Sequence, residues 1–190
     1  MSWGKFIISI SLLSPLSSAF ANVYLGLDLG VATNDDVIKL LKEKDAGFDS
    51  GYGYKGYSKN LPSIKVTSFD VFEKYGDLNE SWLAFAPDNK LYSIYVSWND
   101  SGKTFTLLKD TLDSKYGKPD VSGGGFEVKY RYTSGDIEVD LVRNTFGFNN
   151  DQKTSIEYIY EPELYSVIEM KANIDKEIKD NNARKASSDF

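Results

Sequence analysis

Cysteine and histidine are both missing from the 190 residues, and together those absences remove much familiar chemistry. No disulfide can staple the chain, and no thiol or imidazole is there to act as nucleophile, acid or base. Zinc in its usual ligand sets, haem and iron–sulfur clusters lose their ligands as well. Cations are the minority charge, 22 Lys plus Arg against 28 Asp plus Glu, for a formal charge of −6. Phosphate backbones are held mainly by clustered Lys and Arg, so a nucleic-acid partner is not expected. At 190 residues, 41% of them hydrophobic and 14% aromatic, the chain is long enough for one sizeable globular domain and too short for two comfortable ones.

The N-terminus carries a basic start followed by an apolar run. Met1 to Lys5 is short and singly basic, Phe6 to Leu13 is apolar, and Ala19-Phe20-Ala21 closes a small, polar run around Pro15. That is the pattern of a secretory signal peptide over residues 1–21, cleaved after Ala21. As a membrane anchor the stretch falls far short of the roughly 20 residues a bilayer requires. Loss of Lys5 leaves a mature chain from Asn22 with 21 basic and 28 acidic side chains, a charge of −7, and no membrane span. Without cysteine the lipoprotein route is closed. An exported chain with no disulfide points to a bacterial periplasmic or secreted protein.

Residues 22–180 read as one α+β domain. After a strand-like entry, Val23 to Leu29, the run Thr33-Asn34-Asp35-Asp36 is a capping box, and Val37, Leu40 and Leu41 give the following helix, about 34–46, one apolar stripe ended by Gly47. Three strands are expected next, Ser63–Phe72, Ser81–Ala86 and Lys90–Trp98. The first switches phase and calls for a bulge near Thr67-Ser68. The third places Tyr92, Ile94, Val96 and Trp98 on one face and is joined to the second by the Pro87–Lys90 turn. A second helix, about 102–116, carries Phe105, Leu108 and Leu112 and stops at Gly117-Lys118-Pro119. Three more strands follow, Phe126–Thr133, Asp136–Arg143 and Thr154–Glu161. A tight turn at Ser134-Gly135 pairs Tyr132 with Ile137, Tyr130 with Val139 and Val128 with Leu141, and sets Arg131 opposite Glu138 and Lys129 opposite Asp140. The Ser122–Gly125 run reads as a flexible lead-in to that hairpin. A last helix opens at Pro162 with Leu164, Val167, Ile168, Ile174 and Ile178 on one side, interrupted by Lys171. Residues 181–190 read as a flexible tail.

The order helix, three strands, helix, three strands, helix describes two helix-plus-three-strand units, 34–98 and 102–161, forming an antiparallel sheet with a C-terminal helix. The acidic helix start, the pair of strands holding Phe85-Ala86-Pro87-Asp88-Asn89-Lys90-Leu91-Tyr92, and the helix end Lys115-Tyr116-Gly117-Lys118-Pro119 resemble small exported bacterial tandem-repeat domains related to the β-lactamase inhibitor protein. The resemblance is architectural, spans about 34–160, and implies a periplasmic protein-binding role by analogy of fold, with no functional residue carried over.

No catalytic constellation stands out. Ser97-Trp98-Asn99-Asp100-Ser101-Gly102-Lys103-Thr104 matches a phosphate-binding loop except at its first glycine, and reads instead as a strand-to-helix turn capped by Asp100 or Ser101. Acidic residues fall where caps, cross-strand pairs or a solvated helix face account for them, and Asn149-Asn150-Asp151 lacks the spacing of a calcium loop. The chain is therefore expected to be no enzyme and to need no metal or cofactor. Its most distinctive segment is Ser50–Asn60, where tyrosines alternate with glycines. Two readings are open: a recognition loop built on Tyr52, Tyr54, Lys55 and Tyr57, or a twisted strand whose rings pack on the sheet. The functional expectation is an exported protein-binding domain, an inhibitor or immunity protein against a toxin or hydrolase, steered by its acidic surface toward a basic partner. The competing expectation is an envelope-maintenance module binding glycan or another small ligand.

Overall fold

A computed structural model describes residues 23–56, 60–147 and 151–187. The expected leader Met1–Ala21, Tyr57, Asn149, Asn150 and the last three residues of the expected tail lie outside the described residues.

The entry segment is a small hairpin rather than one strand. β1 (Val23–Tyr24) and β2 (Leu27–Asp28) fold back on each other around Leu25 and Gly26, both at positive φ. The capping box forms as expected and starts α1 (Asn34–Glu43): Asp36 N donates to Thr33 Oγ1 at 3.3 Å and Thr33 N returns a bond to the Asp36 carboxylate at 3.0 Å. The helix stops before Gly47, because Asp45 at φ 54° makes the left-handed turn, a conformation Asp tolerates through local bonding. Gly47 is then free to open a strand.

That strand is β3 (Gly47–Gly53), followed by β4 (Pro62–Ser68), the short α2 (Asp70–Glu73), β5 (Asp77–Phe85) and β6 (Leu91–Asn99). After α3 (Lys103–Tyr116) come β7 (Asp120–Gly124), β8 (Glu127–Ser134), β9 (Ile137–Asn144) and β10 (Lys153–Tyr160), then α4 (Leu164–Ser187). Each unit is thus a helix and four strands rather than three. The added strands, β3 and β7, are rich in glycine: β3 bears out the strand reading of the Gly–Tyr segment as far as Gly53, with Tyr52 packed on Trp82, and β7 takes up Ser122 to Gly124 of the run expected to be a flexible lead-in. They are the two edges of a single antiparallel sheet ordered β3-β4-β5-β6-β10-β9-β8-β7, with the units joined where β6 pairs with β10.

The bulge expected in β4 is present: Gly47 pairs with Ser68 and Phe48 with Val66, leaving Thr67 as the extra residue. Beyond Ser68 the strand ends sooner than expected, because Phe69 and Phe72 are spaced for a helix turn and both are buried. A second bulge corrects the expected face of β6. Ala84 pairs with Ser93 and Phe85 with Leu91, so Tyr92 is the extra residue. It leaves the face of Ile94, Val96 and Trp98 and joins Leu61, Ala86, Val167 and Ile174 under α4.

The β8–β9 hairpin is displaced by two residues from the expected register. Tyr132 lies opposite Val139 and Tyr130 opposite Leu141, and Ser134 pairs with Ile137 across a Gly135-Asp136 turn. A slip of two preserves every side chain's face, so alternation alone cannot distinguish the registers. Arg131 now faces Asp140 directly and still reaches Glu138 at 3.0 Å on the diagonal.

α1 and α3 cover one face of the sheet. Val37, Leu41, Leu108 and Leu112 pack there against Ile64, Leu83, Ile94, Val96, Trp98, Val139, Leu141 and Ile156, each such side chain contributing roughly 1.5–3 kcal/mol on burial. α4 lies against the end of the sheet through Val167 and Ile174, while Ile168, expected on the same stripe, is exposed. Residues 181–187, expected within the tail, continue that helix. No helix among the described residues is long and apolar enough to cross a membrane.

Candidate functional site

Strand alternation assigns the opposite parity to the face that α1 and α3 do not cover. In β6 that parity is Ser93, Tyr95 and Ser97, and cross-strand pairing carries it to Trp82 and Glu80 on β5, Lys65 on β4 and Glu157 on β10. Tyr52 on β3 pairs with Ser63 and shares that face. Three aromatic side chains therefore lie across the first unit. Tyr52 meets Trp82 edge-on with ring centroids 5.0 Å apart, and Tyr95 is the direct cross-strand partner of Trp82. Lys65 Nζ sits 5.6 Å from the centre of the Trp82 ring, and Trp82 Nε1 donates to Glu80 at 2.9 Å. Tyr52 is 40% exposed, so the row is open to a partner at one end while Trp82 and Tyr95 are half-buried.

The second unit completes the face with charge. Asp140 on β9 accepts from Arg131 Nε at 2.9 Å and from Lys129 Nζ at 2.8 Å, and Ser93 Oγ donates to Glu157 at 2.8 Å. Burial pushes the Asp140 carboxyl up, but the bonds from Arg131 and Lys129 outweigh it and hold the group below the ordinary carboxylate range. Its neighbour Glu138 goes the other way, raised by burial and by the Asp140 charge despite Arg131. These two shifts set opposite signs of pH dependence. The Asp140 contribution is present above the unfolded pKa and is lost as pH falls through the lowered folded value, whereas Glu138 takes up its proton earlier and relieves repulsion. Asp140→Asn is expected to cost about 1–3 kcal/mol at pH 7. That difference should shrink below about pH 4, as urea unfolding across the acid range would show; a pH-independent difference would contradict the ionic role.

The residues singled out in the Gly–Tyr segment do not act together. Tyr52 belongs to the open face. Tyr54 and Lys55, in the turn after β3, bind α4 instead: Tyr54 Oη reaches Asp175 at 3.3 Å, and Lys55 Nζ reaches the same carboxylate at 2.5 Å, which raises the Lys55 pKa. Lys171 lies over the Tyr54 ring at 5.3 Å, bordering a cleft of about 420 Å³ between this turn and Tyr92. Tyr57 is outside the described residues. Trp82 and Tyr95 went unnoticed in the sequence, although a signal existed: each is an aromatic residue at a position that alternation sends away from the buried apolar stripe of its own strand.

The phosphate-loop look-alike has no room for an anion. The α3 amides of Thr104 and Phe105, which would face a phosphate, each donate to the Asp100 carboxylate at 3.0 Å. No group of three or more carboxylates among the described residues is placed to hold a metal ion. No protein-family model, curated protein or solved structure matches the chain.

Proposed function

We propose that this chain is an exported, non-enzymatic binding protein that offers the open face of its sheet to a protein partner, in the role of an inhibitor or immunity protein against a toxin or hydrolase. The observation that carries the reading is the row Tyr52, Trp82 and Tyr95 beside the Arg131–Asp140 ion pair on a face left uncovered by α1 and α3. Trp, Tyr and Arg are the side chains that dominate binding energy in protein interfaces, and an aromatic centre with a charged surround is the usual anatomy of such a surface. The acidic balance of the chain favours a basic partner through faster encounter. The pairing of two helix-and-sheet units in one sheet supports the resemblance to the tandem-repeat inhibitor domains, and the leader pattern supports export to the periplasm or medium.

The glycan-binding reading has one observation of its own. A cleft of about 520 Å³ at the ends of β5, β6 and β9 is lined by Asn79, Asn99, Asn144 and the exposed Phe146 ring, and amides beside a ring suit sugar hydroxyls and C–H faces.

The test is capture by the immobilised chain from Asn22 onward, from envelope extract and culture medium of the producing cells, at low and moderate salt. A stoichiometric basic protein is expected, with an on-rate that falls as salt rises. Trp82→Ala should weaken its binding by at least about 30-fold, the scale of an interface anchor. Undiminished capture by a folded Trp82→Ala variant would refute the open face as the site, and sugar retained without any protein would favour the Asn-lined cleft.

A further inference from the structure

The outer strands β3 and β7 each leave one edge unpaired, and such an edge is a template for another strand. The two edges differ. β3 is broken by register shifts against β4, between Gly47 and Phe48 and again between Asp49 and Tyr52, and bulges of that kind spoil an edge for pairing. β7 pairs with β8 residue by residue from Asp120↔Arg131 to Gly124↔Glu127, and every one of its residues is exposed. Gly123, at φ 93°, is needed by the hairpin itself, since a Cβ there would meet the Glu127 carbonyl, whereas Gly124 ends the strand with open space where a side chain would stand, so a second backbone can come close to it. The two-residue Gly125-Phe126 loop closes the hairpin on Gly124 and Glu127. By the alternation of an antiparallel ladder, the backbone N–H and C=O of Val121 then point away from β8.

Beside this edge, on the side of α3, is a groove of about 440 Å³. Its apolar lining is Pro119, Val121 and Tyr130, and its polar lining includes Lys109, Asp113 and Lys118. Val121 is 58% exposed although it stands opposite Tyr130, whose ring packs on Phe105 of α3. The Asp113 carboxylate is already taken by Lys109 at 2.5 Å and by the Tyr132 hydroxyl at 2.8 Å. Lys118 makes no ion pair among the described residues, so the groove carries a surplus cation on a chain whose net charge is −6.

We propose that the β7 edge takes up an extended peptide segment of a partner protein as an added strand. One aliphatic side chain of the peptide enters the groove over Val121 and Tyr130, and a carboxylate near it pairs with Lys118. Main-chain hydrogen bonds supply the affinity and the alternate side chains supply the selectivity, the division of labour in strand addition. The proposal is independent of the open face, since its contacts lie at the far edge of the second unit.

The probe is a library of random decapeptides displayed on phage and selected on the chain from Asn22 onward, with the enriched sequences then synthesised and titrated by fluorescence anisotropy. Enrichment of alternating aliphatic residues with a flanking Asp or Glu is expected. Val121→Pro, which removes an outward-facing N–H and keeps an apolar side chain in the groove lining, should weaken binding at least about tenfold, and Lys118→Glu at least about fivefold. Tyr165→Ala, on an exposed part of α4, should change nothing. Thermal unfolding establishes that the proline variant is folded; should it not be, Lys118→Glu decides alone. Absence of enrichment, or enriched peptides that bind both variants as tightly as the parent, overturns the proposal. So does a dimer that forms without peptide and is lost in Lys118→Glu or Val121→Pro, which would assign the edge to a second copy of the chain.

Discussion

Replacing Asp100 with alanine is expected to lower the free energy of unfolding by about 3–5 kcal/mol, the cost of breaking a buried ion pair by removing one partner. The Asp100 side chain is only 3% exposed and that of Arg143 11%. Its carboxylate accepts from the Thr104 and Phe105 amides at 3.0 Å each, from Thr154 Oγ1 at 2.7 Å and from Arg143 Nη1 at 3.2 Å. One side chain thereby fastens the start of α3 to β9 and β10. Alanine would leave two helix-terminal amides without an acceptor and a guanidinium buried with only the Asp100 carbonyl, Thr154 and Gln152 to bind. Burial pushes the Asp100 carboxyl up, yet the Thr154 and backbone bonds outweigh it and the pKa is lowered. The stabilisation is therefore full above the ordinary carboxylate pKa and lost as pH falls through the lowered one. Denaturant unfolding at pH 7 and at about pH 3 measures both parts. A deficit under about 1 kcal/mol at pH 7 would place Asp100 among ordinary surface caps.

Trp98→Ala should cost about 3–5 kcal/mol as well, through a different term, the cavity left when a large core side chain is truncated. Trp98 is fully buried, its Nε1 donates to the Phe72 carbonyl at 2.9 Å, and its ring meets Tyr75 edge-on at 5.8 Å. α2 is only four residues long, too short to hold a helix by itself, so the bond to Phe72 and the packing of its ring keep it in place. Trp98→Phe restores most of the volume but takes the indole donor from the Phe72 carbonyl, leaving it the Tyr75 amide at 3.3 Å, and about 0.5–1.5 kcal/mol is the expected loss. Hydrogen exchange over Phe72 to Gly76 should accelerate in both variants beyond the change elsewhere. Uniform acceleration across the sheet would mean that α2 does not depend on this contact.

Local signals were legible wherever the chemistry is local. The Thr33–Asp36 box, the Pro87–Lys90 turn, the Gly117-Lys118-Pro119 stop and the Thr67 bulge all follow from side chains acting within a few residues of themselves. The open face was partly legible, since Tyr52 was singled out but grouped with Tyr54 and Lys55, which α4 claims. That contact depends on Asp175, some 120 positions away, and no pattern within the Gly–Tyr segment encodes it.

By itself the sequence determined the α+β class, the antiparallel pairing of neighbouring strands, and which residues of β8 and β9 share a face, because caps, turns and period-two alternation are properties of short stretches. Tertiary structure alone decided the rest. The glycine-rich strands β3 and β7 exist because β4 and β8 offer them partners, and the two units form one sheet because β6 meets β10. The β8–β9 register was open to a two-residue slip that alternation cannot see, and the observed one closes on a Gly135-Asp136 turn with Gly135 at φ 58°. Tyr92 left its expected face because it is itself the extra residue of the bulge in β6, set by the pairing of Phe85 with Leu91.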